Sequence, residues 1–268
     1  MAASSAPPSP VADPRWRIVL ALGALFGGIA LTILVAGTII AAGGWDPDVS
    51  SSAGADFGRV VGQWGSGLDL DHNRVPLVAL VLANLPLWAT FIGVPLWARR
   101  RGLDWRRDLR WSMRPVDVPI GIGLGVLTQL VLVPLLYVPI LRSVDPDELE
   151  RPARELIAGA TTPIAVVALV LFTVVAAPLC EEVLFRGLLF RGILEMEANN
   201  RFALVLAVLV SSAIFAISHL QVLQFPGLLL IGAVAALAMH RTGRLATAIW
   251  THAAFNATTV VLLLPEIY

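Results

Sequence analysis

The sequence is poor in charged residues and in cysteine, and it contains no lysine. Only 14% of its 268 residues are charged and 57% are hydrophobic, whereas an average soluble domain has about 25% charged residues. With a mean hydropathy of +0.79, the chain is expected to be an integral membrane protein, which excludes a soluble enzyme. Its 19 basic side chains are all arginine and balance 19 acidic ones, so the net charge gives no indication of nucleic-acid binding.

The single cysteine, Cys180, excludes an internal disulfide bond and any zinc site built from spaced cysteine pairs. We expect this side chain to serve as a small packing residue rather than as a nucleophile.

Long apolar runs predict an all-α fold, a polytopic membrane helix bundle with about seven, possibly eight, transmembrane helices. The predicted spans are 18–43, 75–98, 118–141, 163–197, 201–220, 225–241 and 245–264. Residues 1–14, rich in proline, serine and alanine, are expected to form a disordered tail. Residues 15–160 are expected to form N-terminal transmembrane helices and loops. A polar outer loop is expected at 44–74 and a net acidic outer loop at 142–162.

Arginine is concentrated in one short loop after the second predicted span. Its seven arginines are Arg99, Arg100, Arg101, Arg106, Arg107, Arg110 and Arg114. Such a loop is typical of the cytoplasmic side and is expected to contact anionic lipids. With a composition typical of a GC-rich bacterium, this predicts a multi-pass protein of the bacterial cytoplasmic (inner) membrane with its N-terminus inside.

Two adjacent carboxylates and an arginine interrupt the fourth apolar run. Burying Glu181, Glu182 and Arg186 there costs several kcal/mol unless the charges are paired or used. Glu182 and Arg186 are four residues apart, so they are expected to pair along one helix face. Glu181 points about 100° away from Glu182 and is free to face a cavity.

Three polar side chains are predicted to lie at the same depth in the membrane. If the chain turns near 199–200, 224–227 and 242–243, then Glu181, His219 and His252 lie 18, 20 and 17 residues below the first turn. At about 1.5 Å per residue the three levels agree to roughly 5 Å. This requires one helix to continue from residue 163 to about 197. With Asn256, these side chains make a set suited to hydrolysis.

Taken together, three short motifs resemble the CPBP family of CaaX proteases and bacteriocin-processing enzymes, also called the Abi family. The motifs are Glu181-Glu182-x-x-x-Arg186, Phe215-x-x-x-His219 and His252-x-x-x-Asn256. The resemblance covers roughly residues 163–264, so residues 161–268 are expected to form a CPBP/Abi catalytic helix bundle.

The resemblance implies an intramembrane endopeptidase, similar to the type II CaaX prenyl endopeptidase, in which Glu181 activates the attacking water. It also implies that His219 positions or polarises the substrate and that His252 and Asn256 stabilise the oxyanion. By the same resemblance, the residues that support the catalytic ones without acting on the substrate are Glu182, Arg186 and Phe215.

No cofactor is certain from the sequence, and a zinc ion stays possible. Glu181, His219 and His252 would supply three zinc ligands and leave one position for water. No His-Glu-x-x-His helix is present, and if Glu181 binds metal the general base must lie elsewhere, so we favour the metal-independent alternative.

The expected substrate is a hydrophobic or lipidated peptide or protein, and no nucleic-acid partner is expected. Two alternatives stay open: a non-catalytic scaffold or bacteriocin-immunity protein of the same fold, and a proton-coupled transporter. The sequence gives no oligomeric state.

Overall fold

The chain is a bundle of helices in the computed structural model, which describes residues 13–43, 77–142, 144–197 and 200–267. These ranges contain no strand. Besides a short 3-10 helix at Ile140–Arg142, nine helices are found there: α1 (Pro14–Gly43), α2 (Leu77–Arg99), α3 (Trp105–Asp108), α4 (Asp117–Tyr137), α5 (Pro146–Ala158), α6 (Pro163–Met196), α7 (Ala203–Ser218), α8 (Phe225–Thr242) and α9 (Leu245–Ile267).

Six of the described helices, α1, α2, α4, α6, α8 and α9, are long and apolar enough to cross a membrane. The remaining predicted span corresponds to α7, which is apolar but has only 16 residues. The expectation of an all-α polytopic membrane bundle is therefore confirmed, and the chain is a multi-pass membrane protein. The predicted tail at 1–14 falls mostly on residues 1–12, which, like the predicted outer loop at 44–74, lie outside the described ranges. Of its last two residues, Asp13 precedes α1 and Pro14 is the first residue of that helix.

Contacts between segments distant in sequence define the arginine-rich end of the bundle. At the arginine-rich end, Arg17 of α1 forms an ion pair with Glu195 at the end of α6 and donates a hydrogen bond to the carbonyl oxygen of Asp108 at 3.3 Å. The backbone N–H of Leu245, where α9 begins, donates to the carbonyl oxygen of Arg110 at 2.9 Å. The N-terminus of α1, the arginine loop, the end of α6 and the start of α9 thus lie together.

Helices α4 and α9 pack closely because glycines remove side chains from their interface. A Cβ atom at Gly121 would lie 2.3 Å from Trp250 Cβ, and one at Gly125 would lie 2.3 Å from the carbonyl oxygen of Thr251. The same two helices are tied at the arginine-rich end, where the buried carboxylate of Asp117 accepts two hydrogen bonds from Arg244 Nε and one from Nη2. This packing sets the position of α9.

Gly125→Ala is expected to lower the free energy of unfolding by about 1–3 kcal/mol, because the methyl group must push the α9 backbone away. Gly123→Ala in the same helix is the matched control, since a Cβ there meets nothing within 4 Å. Unfolding in mixed detergent micelles measures both variants. Equal stability of the two would contradict the close contact.

The segment 142–162 is predicted as a loop, but the structure contains helix α5 there. The side chain of Asp145 caps this helix by accepting a hydrogen bond from the N–H of Asp147 at 3.0 Å. On its apolar side Ile157 packs into a small cluster with Leu169 and Leu263. Short amphipathic helices have low mean hydropathy, so a search for apolar runs does not find them.

Candidate active site

Helix α6 carries the two carboxylates and begins as the sequence predicts. The hydroxyl of Thr162 accepts a hydrogen bond from the N–H of Ala165 at 3.2 Å, and Pro163 occupies the first turn. The helix runs without a break to Met196, although its hydrogen bonding is π-helical over Leu171–Ala176 and Val183–Phe190. The continuous helix required by the depth argument is therefore present, and π-helical segments of this kind often occur at functional sites.

Glu182 is the buried centre of a polar cluster. Its Oε1 atom accepts hydrogen bonds from Arg186 Nη1 at 2.8 Å and from His252 Nδ1 at 2.9 Å. Both Glu182 and Arg186 are 0% exposed. Because the guanidinium group pairs with Glu182, this carboxylate acts as an acceptor and His252 Nδ1 is the donor. The predicted pairing of Glu182 with Arg186 is confirmed, and its contact with His252 fixes the imidazole ring.

Arg186 also contacts α7 and α8. Its Nη2 atom donates to the carbonyl oxygen of Gly232 at 3.0 Å, and its guanidinium group lies 4.6 Å from the centroid of the Phe215 ring. A Cβ at Gly232 would lie 2.9 Å from Ser212 Cβ and 3.2 Å from Arg186 Nη2. A glycine at position 232 thus lets the arginine reach the backbone of α8.

Glu181 lies on the other side of His252 from Glu182. Its Oε2 atom is 3.9 Å from His252 Nε2 and has no hydrogen-bond partner among the described residues. Its side chain is 13% exposed, compared with 0% for that of Glu182. The two neighbouring glutamates therefore differ as predicted: Glu182 is paired and enclosed, whereas Glu181 is partly accessible.

The Phe215 ring links the two histidines. Its centroid lies 4.6 Å from that of His219 and 5.5 Å from that of His252. His219 follows the last residue of α7, and its Nδ1 atom lies 2.8 Å from the carbonyl oxygen of Phe215. Both imidazoles thus lie at the level of Glu182, in agreement with the shared depth, but His219 meets the cluster through Phe215 rather than through a hydrogen bond to either glutamate in the described structure.

Asn256 lies one turn beyond His252 on α9. Its Nδ2 atom donates to the carbonyl oxygen of Thr173 at 2.8 Å, within the π-helical segment Leu171–Ala176 of α6. Thr173 has no motif signal in the sequence, and it is a partner that reasoning from motifs did not identify. Since an amide nitrogen carries two hydrogens, one N–H of Asn256 holds α9 against α6, and the other makes no hydrogen bond with a described residue.

The metal alternative does not fit the side chains as they lie. In the described ranges no group of three or more histidine, cysteine, aspartate or glutamate side chains is arranged to hold a metal ion. In particular, Glu181, His219 and His252 do not converge as a three-ligand set. We therefore derive no step of the reaction through zinc.

Tyr137, at the end of α4, holds the loop that follows His219. Its buried hydroxyl donates to the carbonyl oxygen of Leu223 at 2.6 Å and accepts from the N–H of Gly227 at 3.2 Å. The loop turns through Leu220, whose φ of 57° costs a leucine about 1–2 kcal/mol. No sequence motif marks Tyr137, although a tyrosine in an apolar helix often places its hydroxyl on a buried polar partner.

Comparison with known families assigns the segment that carries this cluster. Residues 163–258 match the family model described as Type II CAAX prenyl endopeptidase Rce1-like. This segment is similar to the Rce1-like family. It extends from the start of α6 into α9 and contains all three motifs, so the resemblance stated from the sequence is confirmed. At the level of the family, the match supports an intramembrane protease of the CAAX type.

No curated protein and no solved structure matches the chain. The family assignment of residues 163–258 therefore rests on the family match and on the three motifs within these residues.

Proposed function

We propose that the protein is an intramembrane endopeptidase in which Glu181 activates water for attack on a peptide bond. The observation that carries this proposal is the position of His252 between two unlike carboxylates. Glu182 binds its Nδ1 atom at 2.9 Å, and Glu181 faces its Nε2 atom at 3.9 Å.

The separation between Glu181 and His252 suits a water molecule. Two hydrogen bonds of about 2.8 Å to a shared oxygen close a gap of this size at an angle near 90°. A water molecule held there would contact the unpartnered Oε2 atom of Glu181. This is the position that a general base requires, within one hydrogen bond of the proton that it removes.

The position of His252 gives it its role in the proposal. Its Nδ1 atom donates to Glu182 Oε1, and its Nε2 atom faces Glu181. In the imidazolium form both ring nitrogens are donors, so Nε2 donates to the substrate. The imidazolium then stabilises the oxyanion that forms on the substrate carbonyl, and the free N–H of Asn256 supplies a second donor.

The reaction proceeds in two steps. Glu181 removes a proton from water as the water oxygen bonds to the carbonyl carbon, giving a tetrahedral intermediate whose oxyanion His252 stabilises. The protonated Glu181 then transfers the proton to the amide nitrogen, and the C–N bond breaks to release a carboxylic acid and an amine. His219, beside Phe215, positions the substrate.

The proposed substrate is a hydrophobic or lipidated peptide segment at a membrane. The cluster lies within membrane-spanning helices, which an extended soluble peptide does not enter, and the matched family is named for prenyl endopeptidases. The proposed location is the bacterial cytoplasmic membrane with the arginine-rich end inside.

Cleavage of a fluorogenic library of lipidated and unmodified peptides by the detergent-purified full chain tests the proposal. The wild type is expected to cleave lipidated members, Glu181→Ala is expected to be inactive, and a zinc chelator is expected to leave the wild-type rate unchanged. Equal cleavage by the wild type and Glu181→Ala, or none by either, would favour a non-catalytic scaffold. Loss of activity with the chelator would overturn the metal-independent mechanism.

A further inference from the structure

A charged groove lies on α2 where this helix reaches the arginine-rich end. It is open, has a volume of about 610 Å³ and is lined by Gly93, Leu96, Trp97, Arg99 and Arg100. Four of these residues, at i, i+3, i+4 and i+7 from Gly93 to Arg100, share one helix face. The groove therefore has an apolar floor along the membrane-crossing part of α2 and two guanidinium groups at its mouth.

The two arginines at the mouth are not neutralised by the nearby acidic residues. Asp104 caps α3, where its Oδ1 atom accepts hydrogen bonds from the N–H groups of Arg106 and Arg107. Asp108 pairs with the side chain of Arg107 at 2.8 Å. Arg99 and Arg100 are exposed and form no ion pair with another described residue, so both charges are available to an external anion.

The ionisation of Asp108 also indicates that its carboxylate does not pair with Arg99 or Arg100. Burial alone would raise its pKa, but hydrogen bonds from Arg107 and from the N–H of Asp104 hold the pKa below the ordinary value for aspartate. The carboxylate is therefore ionised at neutral pH and already satisfied within the loop.

Aromatic residues place the mouth of the groove at the membrane surface. Trp97 is 48% exposed, and the Arg101 guanidinium lies 4.8 Å from its ring centroid. The indole nitrogen of Trp105 donates to the carbonyl oxygen of Pro95 at 3.2 Å, which fixes the arginine loop against α2. Exposed tryptophans at the end of a spanning helix are typical of the layer between hydrocarbon and headgroups.

We propose that this groove is a binding site for one anionic phospholipid. Arg99 and Arg100 hold the phosphate, because guanidinium groups match the geometry of phosphate oxygens. The glycerol and the first methylene groups lie along Trp97, Leu96 and Gly93. The seven-residue separation from Gly93 to Arg100 is about 10 Å along the helix, which accommodates this part of a lipid. The site is separate from the polar cluster on α6 and does not depend on the proposed protease activity.

Titration of the detergent-solubilised full chain with phosphatidylglycerol, followed by native mass spectrometry, tests the site. Arg100→Gln is expected to weaken binding about fivefold. Gly93→Leu is expected to weaken binding by a similar factor without changing the charge, because a Cβ at Gly93 meets nothing within 4 Å and the side chain fills the floor. Arg106→Gln, which removes one charge from the same loop outside the groove, is the matched control and is expected to change affinity less than about twofold.

Three outcomes would overturn the proposal. If Arg106→Gln weakens binding as much as Arg100→Gln, the attraction comes from the diffuse charge of the loop. If phosphatidylcholine binds as tightly as phosphatidylglycerol, the arginines do not select the headgroup. If inorganic phosphate competes fully and Gly93→Leu has no effect, the arginines bind a free anion and the groove takes no acyl chain. Unfolding midpoints of the variants establish that each is folded.

Discussion

Glu181→Gln is expected to lower kcat/KM for peptide cleavage by about 10²–10⁴-fold, the usual contribution of a general base, with an unchanged unfolding midpoint. Glutamine has the shape of glutamate but its amide does not accept a proton from water. Because the Oε2 atom of Glu181 has no hydrogen-bond partner among the described residues, its replacement breaks no hydrogen bond of the described fold. Initial rates and thermal unfolding of the same preparation measure the two effects.

The neighbouring substitution Glu182→Gln is the control for this prediction. It removes the charge that faces both Arg186 and His252, so it is expected to lower stability as well as activity. A variant Glu181→Gln that loses activity only together with stability would assign Glu181 a structural role and contradict the general-base mechanism.

Arg186→Met is expected to lower the free energy of unfolding by about 3–5 kcal/mol, the usual effect of removing one member of a buried ion pair. Methionine fills part of the volume but leaves Glu182 without its cation and the carbonyl oxygen of Gly232 without its donor. Unfolding in mixed detergent micelles measures the loss. The matched control is Arg201→Met in the exposed turn that precedes α7, where a change of only about 0.5 kcal/mol is expected.

The double variant Glu182→Gln, Arg186→Met separates the pair from its individual members. Because neither charge is then left alone, we expect the double variant to lose less stability than the sum of the single losses. Additive losses would mean that the two side chains contribute independently, which their 2.8 Å contact does not allow.

Much of the polar cluster follows from local spacing along helices, and for that reason the sequence predicts it. Glu182 and Arg186 face the same side of one helix, so their pairing needs no knowledge of the tertiary fold. The common level of His219 and His252 follows from helix rise and from three turns. The depth of each histidine depends on the number of residues between the turns, which can be counted in the sequence.

The partners supplied by other helices could not be predicted in this way. The carbonyl oxygens of Gly232 and Thr173 accept from Arg186 and Asn256, but every residue has a carbonyl oxygen and nothing in the sequence marks these two. Which helix face meets which neighbour depends on packing across the bundle. Helix α5 escapes a search for apolar runs for a different reason. Its apolar residues recur with a helical period, but they are separated by polar residues.

The hydroxyl of Tyr137 ties the segment that matches the Rce1-like family to a helix outside it, so this segment is not a separable module. This side chain lies outside the matched residues 163–258, yet it bonds Leu223 and Gly227 in the loop after His219. The backbone of Leu149 in α5 binds Gln224 of the same loop at 2.8 Å. A segment exchanged between related chains at the boundary of the family match would leave its histidine loop without these supports, so a functional graft has to include α4 and α5.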